Sequence, residues 1–183
     1  ISYEICLGLS VVGLFMTTET LRLTDVVMQQ QSGLFSWNIF TQPLGFLIFT
    51  ISAFAETNRL PFDLPEAETE LVAGYHTEYG SMKFATFFAG EYMAMYVFSA
   101  LVAALFLGGW SIPWVPLETM GNWGAVLGFC AFVFKICLFL FFFVWVRWTI
   151  PRFRFDQLMN LGWKVLLPLG LVNILITGLL NIP

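Results

Sequence analysis

Acidic side chains are concentrated in one polar segment, residues 56–81, which lies between two long apolar runs. Six carboxylates in this segment are offset by a single basic residue, Arg59. Closely spaced carboxylates share protons and titrate as a group, so such a cluster can load and release protons near neutral pH. The six are Glu56, Asp63, Glu66, Glu68, Glu70 and Glu78.

Two simpler explanations cover part of this segment. Asp63 and Glu66, on either side of Pro65, fit a helix start, where acidic side chains accept hydrogen bonds from free backbone N–H groups and complement the helix dipole. A solvated acidic loop is the other explanation. Capping does not account for Glu70, which would lie one turn beyond Glu66, where like charges repel by roughly 0.2–0.5 kcal/mol. We therefore favour proton exchange, with both alternatives open.

Ionisable residues also occur inside apolar runs. Glu91 lies eight residues beyond Lys83, a distance of about 12 Å along a helix. Lys135 lies twelve residues before Arg147, about 18 Å along its helix. Such residues cost about 2.5–3.5 kcal/mol on insertion scales and usually face a bundle interior or a wet path. We predict a proton path through Glu91, Lys135 and Glu4; the alternative is a Glu91–Lys135 ion pair that only fixes packing.

The chain offers few ligands for metals or redox centres. Cys6, Cys130 and Cys137 lie in apolar runs without C-x-x-C spacing, and His76 is the only histidine. We therefore expect no zinc, haem or iron–sulfur site built by this chain alone. Phosphate-binding glycine loops and nucleophile elbows are also absent from the sequence.

The elements that carry these residues are apolar helices. The chain has 183 residues, of which 58% are hydrophobic and 11% charged, whereas soluble domains have about 25% charged residues. A spanning helix needs about 20 mostly apolar residues. We therefore predict an all-α, multi-span bundle of about five transmembrane helices. The net charge of −4 is concentrated in a few loops and gives no support for nucleic-acid binding. The predicted spans are residues 1–21, 37–55, 82–107, 123–146 and 161–182, with a large acidic cytoplasmic loop at 56–81.

Basic residues predict the orientation, because cytoplasmic loops retain Lys and Arg. Six of the eight lie on one side of the predicted spans, Arg22 lies alone on the other, and Lys135 is within a span. The first helix is therefore expected to run from inside to outside. The six are Arg59, Lys83, Arg147, Arg152, Arg154 and Lys164.

Several motifs resemble those of the quinone-site membrane subunit of proton-pumping NADH:quinone oxidoreductase, respiratory complex I. They occur in order through nearly the whole chain: SYE at 2–4, ETNR at 56–59, PFDLPEAE at 61–68, ELVAGYHTEY at 70–79, AGEY at 89–92, FLGGW at 106–110 and RFRFDQ at 152–157. The members of that family have eight spans. The resemblance therefore implies that residues 1–183 are one membrane domain, the C-terminal five spans of a longer polypeptide; Ile1 in place of an initiator methionine fits this expectation.

The resemblance also implies roles for the acidic residues. Residues 56–81 would line the quinone cavity beside the peripheral-arm subunits, with Glu4, Glu56 and Glu91 on a polar path into the membrane arm. Arg59, Asp63, Glu66, Glu68, Glu70 and Glu78 would lie at the approach to that path.

The expected ligands and partners follow from the same resemblance. Quinone is the expected substrate, while iron–sulfur clusters and FMN are expected only in partner subunits. The partners are peripheral-arm subunits, other membrane-arm subunits and lipids, in a bacterial inner membrane or an organellar energy-transducing membrane. The chain would be a non-redox subunit of a proton-translocating enzyme, with no catalysis alone.

Other functions remain possible on the sequence. The nearest is the homologous subunit of a ferredoxin-fed plastoquinone reductase or of a membrane-bound hydrogenase, although the intact ETNR and FDLPEAE motifs favour a quinone reductase. An autonomous channel or transporter would use the inner polar residues for its own substrate. A passive membrane anchor would tolerate loss of the buried carboxylates.

The orientation can be tested by cysteine labelling. In intact membranes, an impermeant maleimide should reach Arg154→Cys only from the cytoplasmic side and Trp114→Cys only from the opposite side. Labelling of both variants from one side would contradict the predicted topology.

Overall fold

A computed structural model describes residues 2–63, 80–115 and 121–181, and in these ranges every regular element is helical. The all-α prediction is confirmed. The α-helices are α1 (Ser2–Thr18), α2 (Leu23–Gln29), α3 (Asn38–Thr41), α4 (Pro43–Glu56), α5 (Ser81–Leu105), α6 (Asn122–Thr149), α7 (Phe155–Asn160) and α8 (Leu167–Leu180). Two 3₁₀ turns cover Gln30–Ser32 and Leu34–Ser36, and a π-helical turn, Leu161–Leu166, joins α7 to α8.

Three helical stretches are long and apolar enough to cross a membrane: Ser81–Leu105, Asn122–Thr149 and Phe155–Leu180. A fourth is obtained if α1 and the helical stretch Leu23–Ser32, which are bent by 60° relative to each other, count as one span. Length and composition therefore support a multi-span bundle with three or four such spans among the described residues, and the predicted count of five is not reached.

The span predicted at residues 37–55 is the one that falls short. Its helix is broken at Gln42, which has φ −131° and ψ 61°, and α4 begins at Pro43. Proline lacks the N–H that would continue a helix, and it disfavours helical geometry in the residue before it. The resulting 14-residue α4 is about 21 Å long, which is less than a hydrocarbon core of about 30 Å.

Two groups of helices make up the bundle. In the first, α1 packs against α4 and α8; in the second, α5 packs against α6, and α2 contacts α5. We call the end that carries Arg59 and Arg147 the inner end, and the end that carries Arg22 the outer end.

The helix α7–π–α8 presents a stripe of buried residues to α1. Leu158, Gly162, Leu166 and Gly170 are buried at four-residue intervals. A Cβ on Gly162 would approach Ser2 Oγ to 2.9 Å. Small residues on this stripe therefore allow the two helices to approach closely.

A buried amide cluster, Gln42, Asn173 and Thr177, joins α4, α8 and α1. Gln42 Nε2 donates to the Gly13 carbonyl at 3.0 Å and to Thr177 Oγ1 at 2.8 Å, and Asn173 Nδ2 donates to Gln42 Oε1 at 3.3 Å. A Cβ on Gly13 would lie 2.7 Å from Asn173 Nδ2. The cluster satisfies polar groups that would otherwise be unpaired in an apolar interior.

The outer end of α5 is held by two further amides. Gln30 Nε2 and Asn38 Nδ2 donate to the Leu105 carbonyl at 3.1 and 2.8 Å, and Asn38 N–H donates to Gln30 Oε1 at 3.1 Å. Helix-terminal carbonyls have no partner within their helix. These bonds therefore satisfy the end of α5 and fix α2 and α3 beside it.

The amide cluster generates a stability prediction. Gln42→Leu removes the acceptor of the buried Asn173 amide, at a cost of about 1–3 kcal/mol, whereas the Thr177 hydroxyl still donates to the Asn173 carbonyl. The thermal unfolding midpoint in detergent should therefore fall. Gln42→Leu combined with Asn173→Leu should recover part of the loss, because both partners are then apolar.

Gln31→Leu is the matched control, since the Gln31 side chain makes no hydrogen bond within the described residues. It should leave the unfolding midpoint nearly unchanged. Equal losses for Gln31→Leu and Gln42→Leu would show that the amide cluster contributes nothing specific.

Candidate functional site

The polar segment directly after α4 turns back toward α5 at the inner end. Thr57 Oγ1 donates to the Ala53 carbonyl at 3.0 Å. Asn58 adopts the left-handed region at φ 49°, which Asn tolerates better than most residues. Phe62 N–H then donates to the Arg59 carbonyl at 2.8 Å. This compact turn places the Arg59 side chain against α5.

Buried Arg59 and partly buried Glu91 form an ion pair, which we call the inner ion pair. Arg59 Nε lies 2.6 Å from Glu91 Oε1, and the two side chains are 7% and 17% exposed. The guanidinium also lies over the Tyr92 ring, 4.6 Å from its centroid, a cation–π geometry. One ionisable residue from the loop is thereby joined to one from an apolar helix.

Asp63 forms a second ion pair, with Arg152 of the segment between α6 and α7. Arg152 Nη2 lies 3.5 Å from Asp63 Oδ2, and Asp63 is buried. Phe153 N–H donates to the Pro61 carbonyl at 3.1 Å. The rings of Phe62 and Phe153 pack with centroids 5.5 Å apart. The two polar segments of the inner end are therefore fastened together.

Glu4 and Glu56 lie beside this site but are exposed. Glu56 is the last residue of α4, three positions before Arg59. Glu4 follows Tyr3, whose ring is 6.1 Å from that of Phe62. The structure thus brings Glu4, Glu56 and Glu91 to the same end of the bundle, but the burial expected for Glu4 inside a span is not found among the described residues.

Lys135 binds backbone at the outer end. Its Nζ donates to the carbonyls of Leu107, Gly109 and Ser111 at 2.7, 2.9 and 2.7 Å. It also lies 4.7 Å from the centroid of the Trp37 ring. The ion pair considered between Glu91 and Lys135 is therefore wrong, because each residue has a different partner.

The reason is an offset between α5 and α6. A cavity of about 140 Å³ brings Arg147 and Trp148, at the inner end of α6, beside Tyr92 and Met95. Tyr92 is eleven residues into α5 from Ser81, about 16 Å along the helix. The sequence-based prediction placed the inner ends of both helices at one level, which made Glu91 and Lys135 neighbours. The offset instead places Lys135 beside the segment after α5.

Part of the predicted acidic cluster lies outside the described residues. Glu66, Glu68, Glu70 and Glu78 belong to this part, as does His76. Their grouping, and the helix start predicted around Asp63 and Glu66, remain predictions.

Two residues of the site were not singled out from the sequence. The sequence indicates Tyr92 only as part of the AGEY motif, and Arg152 as a basic residue that sets orientation and as the first residue of the RFRFDQ motif. The available signal was their position, since Tyr92 directly follows an intramembrane carboxylate and Arg152 begins RFRFDQ.

Known proteins match this chain over nearly its whole length. A family model described as NADH dehydrogenase matches residues 1–178. An NADH-quinone oxidoreductase H subunit of Cytophaga hutchinsonii is 54% identical over 181 residues, 97% of this chain and 52% of the relative. The NADH-quinone oxidoreductase H subunit of Flavobacterium psychrophilum is 54% identical over 182 residues, 98% of this chain and 52% of the relative.

A relative with a different designation shows the same pattern. NADH-quinone oxidoreductase subunit 8 of Rhodothermus marinus is 47% identical over 188 residues, covering 98% of this chain and 55% of the relative. The chain therefore spans about half the length of the curated relatives it matches. With apolar helices long enough to span a membrane and a family match over residues 1–178, this multi-pass membrane chain belongs to the NADH dehydrogenase family.

Proposed function

We propose that this chain forms part of the quinone-site membrane subunit of an NADH:quinone oxidoreductase and couples quinone reduction to proton translocation. The observation that carries the proposal is the inner ion pair, in which Arg59 of the polar loop holds Glu91 of α5 at 2.6 Å. The names of the relatives support the assignment to this class of complex.

The proposed mechanism is electrostatic. Quinone reduction takes up protons and changes the charge beside residues 56–81, the segment expected to line the quinone cavity. Arg59 belongs to this segment, so a change in local charge alters its attraction to Glu91. The inner ion pair is thus the contact through which the loop can act on an apolar helix.

Glu91 can respond to a movement of Arg59, because its largely apolar surroundings make an unpaired carboxylate charge costly. Its side chain is 17% exposed, and its partner Arg59 is 7% exposed. When Arg59 moves away, the Glu91 carboxylate loses its charged partner, and when Arg59 returns the ion pair forms again. Glu4 and Glu56, at the same end of the bundle, are the proposed neighbours in proton exchange, and Asp63 holds the loop through Arg152.

Electron transfer is assigned to partners in this proposal. Cys6, Cys130 and Cys137 lack the C-x-x-C spacing typical of iron–sulfur ligands, and the described residues contain no group of His, Cys, Asp or Glu side chains that could hold a metal. Iron–sulfur clusters and FMN would therefore reside in peripheral-arm subunits, and quinone would be the substrate of the assembled complex. Co-purification of an NADH-binding flavoprotein would support NADH as the donor, while a ferredoxin-binding or hydrogenase partner would contradict it.

Lys135 is left out of the proposed path. Its ammonium group is occupied by three carbonyls of the segment after α5, which favours a role in holding that segment at the outer end. This assignment changes the sequence-based prediction, because the three carbonyl contacts explain a partly buried cation without any proton transfer.

The role of Lys135 can be tested with two substitutions. Lys135→Arg keeps a permanent donor and should retain most proton pumping in the assembled complex, whereas Lys135→Met should lower the yield of assembled complex. Pumping and assembly are measured separately, by proton uptake into vesicles and by native electrophoresis. Full assembly of Lys135→Arg with no pumping would return Lys135 to the proton path.

The inner ion pair gives a sharper test of the coupling function. Glu91→Gln should keep NADH oxidation by an artificial acceptor at the peripheral arm but lose quinone-linked turnover together with pumping. Because it leaves the Arg59 charge buried, at a cost of about 3–5 kcal/mol, the double variant Arg59→Gln with Glu91→Gln should assemble better and still fail to pump.

Two controls accompany this test. Glu91→Asp keeps an ionisable group and should recover part of the activity, and Glu19→Gln removes an exposed carboxylate at the outer end and should have no effect. Normal pumping by a fully assembled Glu91→Gln complex would contradict the proposal and favour a passive membrane anchor.

A further inference from the structure

A cavity of about 140 Å³ opens at the inner end between α5 and α6. Its polar boundary consists of Arg59 and Arg147, together with the aromatic residues Tyr92 and Trp148. Its remaining wall is apolar and is formed by Met95, Phe143 and Val144. A ligand with an anionic group attached to an apolar chain would match a cavity that is polar on one side and apolar on the other.

Arg59 has hydrogen-bonding capacity that the inner ion pair does not use. The residue is 6% exposed, and its Nη2 atom is buried without a hydrogen-bond partner in the described part of the chain. The Nε atom is close to Glu91 Oε1 but makes no hydrogen bond with it. An unsatisfied buried guanidinium nitrogen is costly. An oxygen of a ligand in the cavity would satisfy it.

The charge of the site favours an anion. Glu91 offsets the charge of Arg59, so Arg147 leaves the group with one net positive charge. Arg147 lies in the last turn of α6, where it also complements the helix dipole. The interaction with the helix dipole requires α6 alone, however. It does not explain why the guanidinium groups of Arg147 and Arg59 face the same cavity.

The volume limits the part of a ligand that can enter. Pockets that enclose a drug-sized molecule usually measure about 300–1,000 Å³, so a cavity of about 140 Å³ admits only a small group. The rest of the molecule would lie along α6, where Val144 and Phe141 are 50% and 69% exposed. Trp148, which is 83% exposed, suits the level of the lipid headgroups.

We propose that this cavity binds the phosphate of an anionic phospholipid, with Arg147 and Arg59 Nη2 as donors and the acyl chains along the exposed face of α6. Guanidinium groups recognise phosphate oxygens through charge-assisted hydrogen bonds. The site lies at the basic end of the bundle, where anionic headgroups are attracted to Arg and Lys.

Photolabelling of the assembled complex tests this site without turnover. The complex is placed in phosphatidylcholine nanodiscs that contain a trace of phosphatidylglycerol with a diazirine in its acyl chain. We expect labelling of α6 near Val144, and a roughly tenfold loss of labelling in Arg147→Gln. Arg147→Lys should retain part of the labelling because it keeps the charge.

Lys83→Gln is the matched control, because Lys83 is an exposed cation at the inner end of α5 outside the cavity. It should leave labelling unchanged. The proposal is overturned by equal losses in Lys83→Gln and Arg147→Gln, by equal labelling with a phosphatidylcholine probe, or by absence of labelling near Val144. Displacement of the label by decylubiquinone would likewise overturn it, by making the cavity a quinone subsite.

Since the experiment is run without NADH, its outcome is independent of the coupling function. A complex that pumps normally but shows no Arg147-dependent labelling would refute the lipid site alone. A complex that is labelled normally but fails to couple would leave the lipid site in place.

Discussion

The fold depends on one constraint, which is that polar groups in an apolar environment must find partners within the protein. The chain meets this constraint with polar contacts at several positions along the helices. Gln42 and Asn173 satisfy each other between α4 and α8, and Gln30 and Asn38 satisfy the end of α5. Lys135 is held by carbonyl groups at the outer end. These polar contacts also determine which helices lie together, because an apolar contact with another helix is hardly distinguished from one with lipid.

The inner end meets the same constraint with ionised groups. An amide pair has a fixed set of hydrogen bonds, whereas the Arg59–Glu91 pair is stable only while both groups keep their charges. Away from the polar loop, the polar contacts therefore join neutral amides or hold one ammonium by neutral carbonyls, whereas the contact beside the loop joins two opposite charges. This difference makes the inner end the place where a chemical change can alter contacts between elements.

The sequence predicted the helical class and the end at which the basic residues collect, because hydrophobic length and Arg/Lys distribution are properties of each segment alone. It also identified Arg59, Asp63 and Glu91. It did not predict their partners, since pairing depends on how far each helix is displaced along its neighbour. The offset between α5 and α6 cannot be deduced from either apolar run alone. The sequence therefore suggested, incorrectly, that Lys135 lies beside Glu91. The break before Pro43 was visible in the sequence, but its effect on the length of α4 was missed.

The π-helical turn Leu161–Leu166 has a consequence for register. In a regular α-helix, residues four apart differ by about 40° in direction, so three such steps rotate a stripe by about 120°. Leu158, Gly162, Leu166 and Gly170 are nevertheless all buried. The wider turn, with its extra residue per hydrogen-bonded loop, offsets this rotation and keeps the stripe directed at α1. The spacing of these residues is therefore matched to a helix of mixed winding. A shorter turn with one residue fewer would leave 11 residues between Leu158 and Gly170, which a regular α-helix keeps within about 20° of one direction, so the extra residue and the wider turn compensate each other.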